Sequence, residues 1–240
     1  MLILAGCAGP SGDAAPAPDT DATSSGATAE LGLTTRDGVD LVADLYPGAA
    51  GAPGVVLLHM IPPAWDRTSW PAAFIGRLQG HGWWVLALDR RGAGESSGAA
   101  TEAYLGEKGR YDLEAAALHL AAAGAGALVA IGASNGTTTV LDYASWAPLE
   151  GLPRVAAAGF MTGGSYTEAN TPFSAMPGVP CFFTYSTEER DWSVTQQSLD
   201  PGSWSFLEYP NGAHGTAMFE AAPAVTDDIE EFLVNSIDVK

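Results

Sequence analysis

The stretch Ala127-Leu128-Val129-Ala130-Ile131-Gly132-Ala133-Ser134-Asn135-Gly136-Thr137 decides the fold of this chain. Its first five residues are all apolar, which suits a strand buried on both faces of a parallel sheet. A helical pattern takes over across residues 137–146. Between the two, Gly-Ala-Ser-Asn-Gly sets small residues on both sides of a serine. The backbone can therefore reverse sharply and hold the hydroxyl up at the end of the sheet. A serine in this place could also do no more than cap the following helix. Which reading applies depends on whether the rest of the chain supplies partners for the hydroxyl.

The same strand-turn-helix grammar extends in both directions. Short apolar runs at Gly54–Leu58, 83–88 and 181–185 are each bounded by turn residues, and helix-like stretches cover 70–79 and 112–123. Runs at 154–160 and 205–209 extend the series, and a last helix is expected over 224–235. Near the start, Leu31-Gly-Leu-Thr-Thr35 and the alternating segment from Val39 to Tyr46 flank Arg36-Asp37-Gly38, which reads as a hairpin. Strands alternating with helices predict an α/β domain with a doubly wound, mostly parallel sheet. A chain of 240 residues with 47% hydrophobic content suits one sizeable domain, here residues 30–240.

Composition excludes several functions. With 10 Lys and Arg against 28 Asp and Glu, the formal net charge of −18 repels nucleic-acid backbones, so no nucleic-acid partner is expected. The two cysteines, Cys7 and Cys181, cannot build a disulfide framework or a Cys-rich zinc site, and Cys181 reads as a packing residue. His59, His81, His119 and His214 are scattered, with no HExxH pair, so no metal is expected. Arg91-Gly-Ala-Gly-Glu-Ser-Ser-Gly98 looks like a dinucleotide loop, but Ser97 stands where the third glycine is required. It is read as a tight turn, and no cofactor is expected. No apolar run reaches the ~18 residues of a membrane-spanning helix.

A serine hydroxyl is a poor nucleophile until a base takes its proton, and imidazole is the usual base near neutral pH. His214 alone among the histidines follows Ser134. It sits in Pro210-Asn-Gly-Ala-His-Gly215, directly after the run 205–209, so a strand would deliver it to the same edge of the sheet. His59 ends the run Gly54–Leu58 and is read as a turn-stabilising side chain. His81 and His119 are read as structural.

Several motifs occur together and in order: Thr35-Arg-Asp-Gly-Val-Asp-Leu41, Leu57-Leu-His-Met-Ile61, Leu88-Asp-Arg-Arg-Gly-Ala-Gly-Glu-Ser96, the turn around Ser134, and Ala213-His-Gly215. With these the chain resembles the α/β-hydrolase superfamily over nearly everything after residue 29, in particular its small lidless serine esterases and dienelactone-hydrolase-like members. The resemblance implies an open site, since residues 161–180 are too short for a lid domain. It implies Ser134 as nucleophile, His214 as base, and an acid lying between them in the chain. It places the oxyanion donors at the backbone N–H of Asn135 and of Ile61 or Met60.

For the acid, the loop after 181–185 offers Glu188, Glu189 and Asp191. Counted from Pro180, the family's acid falls on Glu189; counted back from the next helix, it falls on Asp191. Asp191 is expected, because aspartate is the commoner triad acid and Ser193 looks like the helix start, with Glu189 as the alternative. Trp65, Trp70 and Trp192 are candidates for a pocket lining. The reaction implied is hydrolysis of a carboxylic ester, with a small acyl compound as substrate. A peptidase or acyltransferase using the same residues is the alternative, and a non-catalytic binding protein that keeps the fold is a third.

At the N-terminus, Leu4-Ala5-Gly6-Cys7 resembles the lipobox of bacterial lipoproteins. That resemblance implies a lipidated Cys7 at residues 1–7, a tether over 8–29, and attachment to the bacterial cell envelope, with membrane contact only through the anchor. A positive n-region and a longer apolar stretch, usual in such signals, do not precede the cysteine.

Overall fold

The computed structural model describes residues 29–237. Cys7, the lipobox and nearly all of the expected tether lie outside the described residues.

Eight strands form one sheet: β1 Ala29–Thr34, β2 Asp40–Tyr46, β3 Gly54–Leu58, β4 Trp84–Leu88, β5 Leu128–Ala133, β6 Val155–Met161, β7 Cys181–Ser186 and β8 Trp204–Tyr209. Their spatial order is β1-β2-β4-β3-β5-β6-β7-β8. The β1–β2 hairpin pairs antiparallel within itself and against β4, and every later pairing is parallel. The doubly wound, mostly parallel sheet predicted from sequence is the one observed. Strand and helix boundaries fall within a few residues of the expected ones.

Helices cover both faces, which is why the central strands are apolar at every position. Side chains of β3, β4 and β5 alternate between two cores. Val56, Leu58, Leu86 and Ala130 face helices α2 (Arg110–Ala123) and α3 (Gly136–Glu150). Val55, Leu57, Val85 and Ile131 face helices α1 (Ala72–Gly80) and α6 (Ala224–Ile237). Two short helices, α4 (Asp191–Gln196) and α5 (Met218–Ala221), follow β7 and β8. Residues 162–180, between β6 and β7, carry two 3-10 turns and no lid domain. No helix among the described residues is long and apolar enough to cross a membrane.

Candidate active site

The site is built at the carboxyl ends of β3, β5, β6, β7 and β8, where the loops of a parallel sheet converge. Ser134 follows β5 directly and has φ +48°, a left-handed conformation that an L-residue keeps only when its surroundings impose it. Those surroundings are visible. The Ser134 N–H donates to the Met161 carbonyl of β6 at 2.7 Å, while its own carbonyl accepts from the Thr137 N–H and hydroxyl at 2.9 and 2.6 Å. The flanking glycines are needed for space. A Cβ at Gly132 would lie 2.5 Å from the Gly136 backbone, and one at Gly136 would lie 2.7 Å from the His59 carbonyl and overlap that of Leu58.

His214 arrives from β8. Its loop is tight, with Asn211, Ala213 and Gly215 all at positive φ. The loop is tied back to β6, because the Gly215 N–H donates to Thr162 Oγ1 at 2.8 Å. This leaves His214 Nε2 at 2.6 Å from Ser134 Oγ.

On the other side of the imidazole, Nδ1 is 2.9 Å from both carboxylate oxygens of Glu189. Asp191, the acid expected from sequence, makes no polar contact with His214. The reason is the local fold after β7: a 3-10 turn spans Thr187–Glu189 and α4 starts at Asp191, two residues before the expected start at Ser193. Asp191 therefore lies in the first turn of α4, and the carboxylate beside His214 is the one reached by counting from Pro180, Glu189. Glu189 and His214 are each about two-fifths exposed in their side chains, so this pair meets water while Ser134 is buried.

The expected oxyanion residues lie on the other flank. Among the described residues, no acceptor takes the N–H of Asn135, Met60 or Ile61. Asn135 adjoins the serine in sequence, Met60 and Ile61 follow β3, and all three N–H groups are without an acceptor, so both loop candidates stay open. The loop itself is set by His59, which is fully buried. Its Nε2 accepts from the Arg90 N–H at 2.9 Å, so Nδ1 carries the proton and donates to the Met60 carbonyl at 2.7 Å. Burial and the neighbouring Arg90 guanidinium push the His59 pKa down to about 3, keeping the ring neutral. The turn-stabilising role expected of His59 matches this arrangement.

One site residue carried no signal in the sequence. Tyr166, in the Ser165–Glu168 turn, places its hydroxyl 3.5 Å from Ser134 Oγ and donates to the Thr162 carbonyl at 2.5 Å. Burial raises the phenol pKa, which keeps that proton in place. The turn is held by the threonine run at the start of α3. Thr137 Oγ1 bonds Thr167 Oγ1 at 2.7 Å, and Thr138 Oγ1 donates to the Tyr166 carbonyl at 2.9 Å. Glu168 then staples the turn to α4 by accepting from Trp192 Nε1 at 3.0 Å.

Of the three tryptophans considered for a pocket, Trp70 is buried against Phe74 and Phe219, and Trp192 packs on Phe173. Trp65 and Ile61, by contrast, are exposed on the loop after β3. Among the described residues, no group of three or more His, Cys, Asp or Glu side chains is arranged to hold a metal ion.

The strand order, the serine turn after β5 and the histidine loop after β8 define the α/β-hydrolase fold. An esterase of Pyrococcus furiosus superposes with a TM-score of 0.69 over 88% of this chain and 91% of its own, at 16% identity. An α/β-hydrolase from a Penicillium species superposes with a TM-score of 0.71 over 88% of this chain and 99% of its own, at 12% identity. No family model and no curated protein matches the sequence.

Proposed function

We propose that the chain is a serine hydrolase that cleaves carboxylic esters of compact acyl groups through an acyl-enzyme on Ser134. The observation that carries this reading is the 2.6 Å contact between Ser134 Oγ and His214 Nε2, with Glu189 on the far side of the ring. Ser134 Oγ attacks the acyl carbon while its proton passes to His214 Nε2. The carbonyl oxygen becomes an oxyanion that the Asn135 N–H and a Met60 or Ile61 N–H receive. Collapse breaks the bond to the leaving alkoxide, which takes the proton from Nε2. A water molecule then repeats the sequence on the acyl-enzyme, giving its proton to Nε2 and releasing the acid and Ser134. Glu189 holds the tautomer with Nδ1 protonated and stabilises the imidazolium. Tyr166, beside Oγ, limits the room for the acyl group.

The test is labelling with a fluorophosphonate, together with a screen of p-nitrophenyl esters of increasing chain length, thioesters and peptide anilides. Labelling of the wild type and none of Ser134→Ala, with acetate or butyrate esters turned over fastest, is the expected result. Equal labelling of both proteins sinks the reading.

The Leu4-Ala5-Gly6-Cys7 tetrapeptide supports placing this activity on a lipid anchor at the cell envelope. Mass spectrometry of the mature protein should then find Cys7 diacylated, and an unmodified Cys7 in a cytosolic fraction would exclude it.

A further inference from the structure

Arg90 and Arg91 are adjacent, and both side chains are fully buried, yet they are treated differently. Arg91 is neutralised: its Nε donates to Asp112 at 2.8 Å and its Nη1 to Asp37 at 2.9 Å. Arg90 has no carboxylate within ion-pair distance among the described residues. Its guanidinium is spread over neutral acceptors. Nη1 faces the carbonyls of His59 at 3.3 Å and Met60 at 3.4 Å and the Asn135 Oδ1 at 3.1 Å. Nη2 donates to the Ala103 carbonyl at 2.7 Å and to Thr139 Oγ1 at 3.0 Å, and Nε has no partner among the described residues. The removal from water lowers its pKa only to about 10, so the group stays charged at neutral pH.

Burying a guanidinium without an anion is costly, and a neutral amide would satisfy several of the same carbonyls at less expense. What the charge adds is position and sign. The acceptors of Nη1 belong to His59 and Met60 in the loop after β3 and to Asn135 next to Ser134, and the N–H groups of Met60 and Asn135 are two of the three candidate oxyanion donors left without an acceptor among the described residues.

We propose that Arg90 is the positioning residue of the oxyanion site, clamping the loop after β3 to the start of α3 and setting behind the N–H donors a positive charge that no carboxylate contacts directly. Asp112 and Asp142 act on it only from beyond ion-pair distance. The proposal rests on the hydrolase reading and deepens it. A cation held in a poorly screened interior attracts the oxyanion more than the neutral carbonyl it forms from, so its contribution falls on the transition state. The clamp also fixes both donors before substrate arrives.

The test compares wild type, Arg90→Met and Arg90→Lys by three readouts. The first is kcat and KM on the best p-nitrophenyl ester. The second is affinity for an alkylboronic acid, which forms a tetrahedral anionic adduct on the serine. The third is amide hydrogen exchange in peptides covering residues 58–66 and 132–140. Arg90→Met is expected to lose roughly 10²-fold in kcat with KM nearly unchanged. Boronate affinity should fall in step, and exchange should quicken in both peptides. Arg90→Lys keeps the charge without the fork and should recover part of kcat and of boronate affinity, which a purely structural arginine would not predict. If Arg90→Met fails to fold, the same readouts are taken on Arg90→Lys, where intermediate losses support the proposal and wild-type values overturn it. Unchanged exchange in both peptides overturns the clamp whether or not any ester is cleaved. A rise in KM with kcat intact overturns the electrostatic role. Wild type that takes neither fluorophosphonate nor ester overturns the hydrolase reading instead, and the exchange data still judge the clamp.

Discussion

Glu189 reaches His214 from the last residue of a 3-10 turn, with both of its carboxylate oxygens at 2.9 Å from Nδ1. The longer side chain of glutamate spans the gap left when the chain turns immediately after β7 and then enters α4.

Glu189→Gln is therefore expected to lower turnover by up to roughly 10⁴-fold, because the amide can impose the wrong tautomer on His214 and cannot stabilise the imidazolium. Asp191→Asn should stay close to wild type. Steady-state kinetics of both on one ester decide the matter, and a collapse in Asp191→Asn with Glu189→Gln intact would reverse the assignment.

His214→Ala should lose nearly as much kcat as Ser134→Ala, and the double variant little more than either alone, since residues that act as a unit do not contribute additively. What survives should be about 10³–10⁴-fold above the uncatalysed rate, from binding and the oxyanion donors. Additive losses in the double variant would show that the two residues do not serve one step.

Gly136→Ala sets a methyl group against the backbone carbonyls of Leu58 and His59, neither of which can swing away. We expect a loss of about 1–3 kcal/mol in stability and a larger loss of activity, as the loop after β3 is pushed off the serine turn. Gly76→Ala, in helix α1 with no atom within 4 Å of the added Cβ, should gain about 0.5–1 kcal/mol. Urea unfolding of the two variants gives both signs in one experiment.

His59 makes stability depend on pH. Its folded-state pKa of about 3 lies below the ordinary 6.5, chiefly from burial and then from Arg90, with the Met60 carbonyl and Asp66 opposing. The unfolded chain therefore binds a proton near pH 6.5 that the folded chain refuses. Stability is lost as pH falls from there toward about 3, at up to about 1.4 kcal/mol per pH unit from this one group. In His59→Gln that component should vanish between about pH 5 and 6.5, a window where most carboxylates stay ionised. Parallel slopes for the two proteins in that window would contradict the assignment.

The architecture was legible because each central strand is apolar on both faces and each is followed by a turn and a helical pattern. The meeting of Ser134 and His214 was legible for a similar reason, since a serine between glycines after such a strand and a histidine in a loop after a later one are local signals. The carboxylate that neighbours His214 was not, because it hangs on where α4 begins, and Glu-Glu-Arg-Asp offers two registers with nothing local to choose between them. Tyr166 was invisible for a stronger reason. Its place beside Ser134 depends on Thr137, Thr138, Thr162 and Glu168, contacts that span up to 30 residues of sequence and follow no motif.

The Glu168 staple has a kinetic corollary. It joins the Ser165–Glu168 turn to α4 through Trp192, so the wall beside the serine is bolted down in the resting molecule rather than hinged over it. On the proposed hydrolase reading, no segment among the described residues has to open before the serine is reached, and none covers it at an oil–water interface. Rates on short esters should follow dissolved substrate and level off at its solubility limit, without the jump at droplet formation that marks interfacially activated lipases.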